Sequence, residues 1–322
     1  MSPTVTTDDG PAGNAAASGF TLVMAEHVDA EGRRFGYATV DHPEATGLGI
    51  HFSAFFGNWG NARAYRDDFK GYFHRLRMLG SHERRNWLFL CDPYGAFDNG
   101  TYYLGAGGDL FVERAIHEII DRHLDTLGVD PRDVVTLGSS MGGTAALKFG
   151  ARYDVGGIVA IGPHIDLDTS AVHQNRMAEV AFALADGDVT AEHNRVLTRQ
   201  VVNELEARTT PPPRLFIQSC RDDLGVHDEQ VLPLCEAWRA TGGTVHLDER
   251  PTGGHTSDHA PRALLLHVAD QLLDNGPIDI PQLQTDPRYA GTVTAIPVSH
   301  RIRGRLKLRT RLKKLQGLFG SH

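Results

Sequence analysis

A serine flanked by glycines is the clearest sign of chemistry in this chain. The segment Gly138-Ser139-Ser140-Met141-Gly142 matches the pattern G-x-S-x-G and joins an apolar run to a helical segment rich in small residues. A sharp strand-to-helix turn of this kind places the hydroxyl of its central serine above the edge of a sheet, at a helix N-terminus. We therefore predict that Ser140 is a nucleophile. The alternative is a tight turn whose serine has no chemical role.

A serine hydroxyl is a poor nucleophile until a neighbouring base takes its proton, so a histidine is needed. Two histidines, His255 and His259, lie between the last predicted strand and the last predicted helix. We favour His255 as the base because it directly follows a glycine pair. His259 falls within the first turn of the helix and remains the alternative.

An aspartate should orient this histidine and stabilise the imidazolium that forms during the reaction. Asp222 and Asp223 both follow the predicted strand 214–220. Asp222 is our first choice and Asp223 the close alternative; the one not used would cap a turn or pair with Arg221. The chain order Ser, Asp, His is the order expected when the serine lies on a strand-to-helix turn.

Between about residues 20 and 275, continuous apolar runs alternate with amphipathic segments. This alternation is typical of an α/β fold with a mostly parallel sheet and helices on both faces. The interval 164–210 is too long for a simple connection and has two helical patterns, so we predict a cap over the carboxyl edge of the sheet. The predicted strands are 21–28, 33–40, 47–57, 86–93, 134–140, 156–163, 214–220 and 244–250, and the main predicted helices are 61–79, 109–128, 228–240, 260–274 and one that begins at residue 141.

On these residues, the chain resembles serine enzymes of the α/β-hydrolase fold over about residues 20–275. The resemblance implies an oxyanion hole with two backbone donors. One is the N–H of Met141, and the other is expected near Ala54 or Phe55, after the strand that contains FSAFFG. This loop differs from the His-Gly loop of lipases.

A narrower resemblance is to bacterial serine acyltransferases and esterases associated with surface-glycan and accessory-secretion pathways. It depends on the FSAFFG strand end, on DPYGAFDNGTYYLG over residues 92–105 and on GSSMGG. In the fold, 92–105 should border the site. Tyr102 and Tyr103 would then stack on a sugar or acyl group, or, as the alternative, simply pack the loop.

Charge is distributed unevenly along the 322 residues, whose net charge is −8. Residues 301–322 contain eight Lys or Arg and no Asp or Glu, so the remaining 300 residues carry 24 basic and 40 acidic side chains, a net charge of −16. The acidic body excludes charge-driven nucleic-acid binding, whereas the basic amphipathic tail is a candidate for contact with a membrane surface or an anionic partner. A solvated tail without a partner is the alternative.

The rest of the composition is that of an ordinary globular protein. Residues 1–19 lack the features of a secretory signal and are expected to form a disordered leader; the Pro-rich 276–322 is expected to be an extension ending in the basic tail. Three separated cysteines favour a reducing, cytoplasmic location. We expect no metal and no cofactor, because the sequence has neither a phosphate-binding glycine motif nor HExxH.

The sequence therefore predicts a serine hydrolase or acyltransferase that forms an acyl-enzyme from an ester or thioester, with a small-molecule or glycan acyl substrate. The rival hypothesis is a non-catalytic binding or assembly protein that retains the fold and uses its basic tail. Sequence leaves the substrate, the acyl acceptor and the oligomeric state open.

Overall fold

The structure is a computed structural model that describes residues 21–55, 73–96, 98 and 100–278. The predicted leader 1–19, most of the predicted helix 61–79 and the basic tail 301–322 lie outside the described residues. None of the helices in the described part of the chain combines the length and the hydrophobicity that a membrane span needs.

The described residues contain one eight-stranded sheet in the order β1-β2-β4-β3-β5-β6-β7-β8. β1 and β2 form an antiparallel hairpin and β2 pairs antiparallel with β4, whereas all the other neighbours are parallel. This arrangement confirms the predicted α/β-hydrolase fold. The strands are β1 Thr21–Val28, β2 Arg34–Asp41, β3 Gly47–Phe52, β4 Arg85–Leu90, β5 Val134–Ser139, β6 Gly157–Ile161, β7 Arg214–Cys220 and β8 Val245–Arg250.

Helices cover both faces of the sheet, and its central strands β3, β5 and β6 are therefore buried on both sides. One face holds aromatic and aliphatic residues that include Phe52 and Phe149, and the other holds Trp87 and Phe89 under the last helix. The helices are α1 Leu76–Leu79, α2 Phe111–Leu127, α3 Met141–Tyr153, α4 Leu167–His173, α5 Met177–Ala183, α6 Arg195–Thr198, α7 Gln200–Glu206, α8 Leu232–Ala240 and α9 Arg262–Leu273.

The interval predicted to be a cap contains the four short helices α4 to α7, inserted between β6 and β7. The long helix α2 shows how sequence determines an element's end. Its apolar stripe is buried, and it ends at Gly128, whose left-handed φ of 61° lets its N–H reach the carbonyl of Leu124.

A buried ion pair joins α2 to α3. The Lys148 Nζ lies 2.5 Å from Glu113, whose other carboxylate oxygen accepts from Arg152 at 2.8 Å. Burial alone would raise the pKa of Glu113, but the adjoining His117 and the ammonium of Lys148 lower this pKa to about 2. Because the pKa in the unfolded chain is near 4.5, ionised Glu113 stabilises the folded state above that pH.

We expect Glu113→Gln to lower the free energy of unfolding at pH 7 by about 3 kcal/mol, since it leaves Lys148 buried beside a neutral group. The difference from wild type should shrink as the pH falls from about 4.5 towards 2, where wild-type Glu113 also takes up a proton. Urea denaturation at pH 7, 5, 4 and 3 measures this. Glu236→Gln, on an exposed position of α8, is the matched control. An unchanged difference at every pH would contradict the assignment.

Candidate active site

Ser140 lies at the turn between β5 and α3, with a left-handed φ of 53°. Such a backbone conformation costs a non-glycine residue about 1–3 kcal/mol and requires support from its surroundings. The N–H of Ser140 donates to the carbonyl of Ile161 at the end of β6. A Cβ added at Gly138 would collide with the backbone of Gly142, so these two glycines permit the strand and helix to meet closely.

His255 connects Ser140 to an aspartate. Its Nε2 lies 2.8 Å from the Ser140 Oγ, and its Nδ1 lies 2.8 Å from Oδ2 of Asp223. The Asp223 side chain is 2% exposed and that of His255 21% exposed. The imidazole therefore lies between a serine hydroxyl and a buried carboxylate, which is the geometry that general-base activation requires.

Asp223, rather than the first-choice Asp222, is thus the aspartate that contacts His255. The turn after β7 directs the two neighbouring side chains differently: the N–H of Asp223 bonds back to the carbonyl of Cys220, which turns Asp223 inward. Asp222 instead accepts from the N–H groups of Gly253 and Gly254, at 3.1 and 2.7 Å. These two bonds lower the pKa of Asp222 and anchor the loop that carries His255.

His259, the alternative base, lies behind the same loop. Its Nε2 donates to the carbonyl of Thr252 at 3.0 Å. Gly253 has a φ of 148°, and a Cβ there would meet His259 and the Cys220 sulfur. The glycine pair therefore allows His255 to face Ser140 while His259 packs underneath.

The proposed oxyanion donors lie on two segments that the fold brings together. Met141 is the first residue of α3, and the first N–H groups of a helix have no acceptor within it. A Cβ at Gly142 would collide with the carbonyls of Phe52 and Ser53, so this helix end lies directly against the end of β3. Ala54 and Phe55, both half-buried, follow there.

Tyr102 and Tyr103 are buried and present no ring to a substrate. The Tyr102 hydroxyl lies 2.8 Å from Nδ1 of His164, and the Tyr103 hydroxyl donates to the carbonyl of Ser53 at 3.0 Å. Of the two roles considered from the sequence, packing of the loop is the one observed. Tyr103 nevertheless fixes the carbonyl immediately before Ala54.

The loop that carries both tyrosines is organised around the buried Asp92. Its carboxylate accepts from the N–H groups of Thr101 and Tyr103, from the Thr101 hydroxyl and, at 3.3 Å, from the N–H of Tyr94. Burial raises the pKa of Asp92 despite these bonds. Tyr102 and Tyr103 have left-handed φ values of 56° and 57°, so the carboxylate holds two strained residues in place.

Three residues near the site were not identified from the sequence: His164, Gln174 and Arg176. His164 is fully buried, and its ring stacks on His255 with centroids 4.6 Å apart and planes 17° apart. Burial, and then the neighbouring His255, lower the pKa of His164, so its ring is neutral. The sequence feature that could have identified His164 is its position directly after a Gly-Pro pair at the end of a predicted strand.

Gln174 lies at the end of α4 in the cap. Its Nε2 donates to Oδ1 of Asp223 at 3.0 Å and to the carbonyl of Leu224 at 2.7 Å. Asp223 is therefore held on one oxygen by His255 and on the other by the cap. Two residues later, Arg176 lies over the ring of Phe55. No motif in the cap sequence marks either residue.

We expect Asp92→Asn to lower the free energy of unfolding by about 1–3 kcal/mol, because an amide can accept from fewer of the N–H groups that face it. The loop containing Tyr102 and Tyr103 should lose its hydrogen-exchange protection before the sheet does. Urea denaturation together with amide hydrogen exchange measures both effects, with the exposed Asp125→Asn on α2 as control. Wild-type protection of the loop in Asp92→Asn would overturn this role for Asp92.

Comparison with known proteins gives two kinds of similarity. The sequence pattern of a family described as Accessory Sec system GspB-transporter matches residues 58–210. The chain is 22% identical over 251 residues to an Accessory Sec system protein of Staphylococcus aureus, covering 75% of this chain and 44% of that protein. It is 31% identical over 142 residues to one of Streptococcus gordonii, covering 44% and 26% respectively. The chain thus spans less than half the length of these relatives.

Solved structures show the fold over a larger part of the chain. The Glycosylation Associate Protein (Gap123) complex of Streptococcus agalactiae has a TM-score of 0.59 at 18% identity, covering 83% of this chain and 47% of that one. The capsule O-acetyltransferase of Neisseria meningitidis serogroup A has 0.54 at 20%, covering 76% and 90%. The fluorophosphonate-binding serine hydrolase F of Staphylococcus aureus has 0.56 at 12%, covering 79% and 98%. The resemblances to α/β-hydrolase-fold serine enzymes and to accessory-secretion proteins are thereby confirmed.

Proposed function

We propose that the protein is a serine acyltransferase or hydrolase that acts through an acyl-enzyme on Ser140. The observation that carries this proposal is the hydrogen-bonded chain from Ser140 through His255 to Asp223, built on a strained strand-to-helix turn. The acid in this proposal is Asp223, and Asp222 anchors the histidine loop. A fold shared with an O-acetyltransferase and a serine hydrolase is consistent with this chemistry.

In the first half-reaction, the Ser140 Oγ attacks the carbonyl carbon of an ester or thioester while its proton moves to Nε2 of His255. Asp223 accepts the hydrogen bond from Nδ1 and stabilises the imidazolium. The negative charge on the carbonyl oxygen is held by the N–H of Met141 and by a backbone N–H near Ala54 or Phe55. The tetrahedral intermediate collapses, the leaving group takes the proton from Nε2, and the acyl group remains on Ser140.

In the second half-reaction, His255 removes a proton from water or from a hydroxyl acceptor, which attacks the acyl carbon. The bond between this carbon and the Ser140 Oγ then breaks, and Nε2 of His255 returns its proton to Oγ. Water gives hydrolysis, and a hydroxyl gives transfer. His164 assists in one electrostatic respect: because its stacked ring is neutral, protonation of His255 does not place two cations face to face.

A fluorophosphonate should add to Ser140 of the wild type and give a single mass increase in the intact protein. Ser140→Ala should not label, and His255→Ala and Asp223→Asn should label about 100-fold or more slowly, because the hydroxyl loses its base or the base its orienting partner. His259→Ala, the matched histidine control, should label at close to the wild-type rate.

The neighbouring aspartate supplies the sharpest control, since Asp222→Asn changes the same group one residue away. We expect it to slow labelling less than Asp223→Asn, because it weakens only the loop anchor. Labelling of Ser140→Ala, or a greater effect of Asp222→Asn, would contradict these roles.

We expect 4-nitrophenyl acetate to give a burst of one nitrophenolate per protein, followed by slow turnover, as the acyl-enzyme accumulates. An oligosaccharide acceptor should accelerate the slow phase and itself gain an acetyl group, detected by mass spectrometry. Free acetate as the only product, at an unchanged rate, would indicate a hydrolase. Absence of both the burst and an acetyl mass on Ser140 would contradict the acyl-enzyme itself, with Ser140→Ala as the reference.

A second candidate function is a non-catalytic component of a secretion assembly. The family match over residues 58–210 and the likeness to a chain of the Gap123 complex favour it. The labelling experiment discriminates between the two functions. A folded wild-type protein that does not react with the fluorophosphonate supports assembly without chemistry, whereas labelling that depends on His255 supports the enzyme.

A further inference from the structure

The turn between α4 and α5 brings three consecutive cap residues to the candidate active site. Gln174 donates to the carboxylate of Asp223, and Arg176 lies with its guanidinium carbon 4.4 Å from the centroid of the Phe55 ring. Asn175 between them has a left-handed φ of 56°, a conformation that asparagine tolerates better than most residues. The turn therefore contacts the acid on one side of Ser140 and the loop of the proposed oxyanion hole on the other.

Arg176 has no acidic partner among the described residues. Its guanidinium makes no ion pair and no hydrogen bond there, and its Nε is buried without a partner. The nearest candidate on its own helix, Glu179, is itself buried, yet no ion pair within 4.0 Å joins the two. Other arginines of the cap differ in this respect, because Arg195 lies 3.6 Å from Glu192 and Arg199 lies 3.9 Å from Glu206.

An unpaired, half-buried cation is unfavourable unless something compensates for its lost hydration. Stacking on Phe55 provides part of that compensation through the π-face of the ring. The buried Nε of Arg176 nevertheless has no hydrogen-bond acceptor among the described residues, and the ring of Phe55 does not provide one. The planar guanidinium is suited to donate from Nε and a terminal nitrogen to two oxygens of one anion.

The charge of Arg176 also acts on His164 and Tyr102, the buried pair beside His255. The pKa of His164 is lowered by burial, then by His255 and then by Arg176. The pKa of Tyr102 is raised by burial, and the charge of Arg176 opposes this rise. His164 stacks on His255, so the charge of Arg176 acts on the ring that contacts the candidate base. Arg176 thus combines a contact with Phe55 and an electrostatic effect on the ring that stacks on His255.

We propose that Arg176 binds an anionic group, a carboxylate or a phosphate, on the substrate whose ester or thioester reacts at Ser140. This inference rests on the proposed function and narrows its substrate class. The anion has two possible sources: the acyl group, as in the half-ester of a dicarboxylic acid, or the alcohol or acceptor side, as in an acidic sugar or a phosphorylated carrier. The same guanidinium contact serves either source, and the two differ in which ester is preferred.

The kinetic test uses the full chain and two matched pairs of esters. For the acyl side, 4-nitrophenyl hemisuccinate is compared with its neutral methyl ester. For the alcohol side, 3-acetoxybenzoate is compared with methyl 3-acetoxybenzoate. The quantity measured is the preference, defined as kcat/KM for the anionic ester divided by kcat/KM for its neutral partner.

We expect Arg176→Ala to reduce the preference by about 10- to 100-fold in at least one pair, the range expected when a hydrogen-bonded charge partner is removed. Arg176→Lys should recover part of it, because it retains the charge but loses the fork. Arg195→Ala, an exposed cap arginine with its own acidic partner, is the control and should keep the wild-type preference in both pairs. The pair that responds identifies the side of the substrate that carries the anion.

A binding measurement makes the result independent of turnover. In the Ser140→Ala background, calorimetry compares 3-acetoxybenzoate and phenyl hemisuccinate with their neutral methyl esters, with and without Arg176→Ala. Arg176→Ala should weaken the anion of the responding pair selectively. If the anionic and neutral members of both pairs change equally in both measurements, the inference is overturned, even where fluorophosphonate labelling still supports the nucleophile. If labelling fails but selective anion binding persists, the proposed function falls and the anion site stands.

Discussion

The close approach of three backbone segments at Ser140 is the constraint on which the rest of the site depends. The end of β3, the end of β5 and the first turn of α3 meet where any side chain at Gly138 or Gly142 would collide with main-chain atoms. This contact forces Ser140 into a left-handed conformation, and the hydrogen bond from its N–H to Ile161 ties the turn to β6. The strain is local, and the well-packed sheet on both sides is what sustains it.

Buried carboxylates supply the other fixed points. Asp92 accepts hydrogen bonds from N–H groups of the loop in which Tyr102 and Tyr103 have left-handed backbone conformations. Tyr103 in turn donates to the carbonyl of Ser53, directly before Ala54. Asp223 is fixed by Gln174 on one oxygen and by His255 on the other. Burying each carboxylate costs free energy, which the hydrogen bonds that it accepts offset. Because these bonds come from defined donors, each carboxylate fixes the conformation of the loop around it. The site is thus positioned by polar anchors placed at the ends of strands.

The strands and their alternation with helices were predictable because buried parallel strands leave continuous apolar runs in the sequence. β5 through β8 lie within one or two residues of their predicted ends. The sequence also allowed Ser140 and His255 to be selected as a pair, since glycines mark both turns. The sequence could not distinguish Asp222 from Asp223, because the two are adjacent residues of the same type. They differ only in the direction that the turn after Cys220 gives their side chains. Consecutive left-handed residues at Tyr102 and Tyr103 leave no signal in residue type either.

The family match and the likeness to solved structures cover different parts of the candidate site. The family match over residues 58–210 contains Ser140, the Asp92 loop and the cap with Gln174 and Arg176, whereas Asp223 and His255 lie beyond it. The likeness to solved hydrolase-fold structures extends over about four-fifths of the chain at identities of 20% or less. The hydrogen bond from Gln174 to Asp223 joins the two parts of the site, because it connects the cap to the carboxylate that contacts His255.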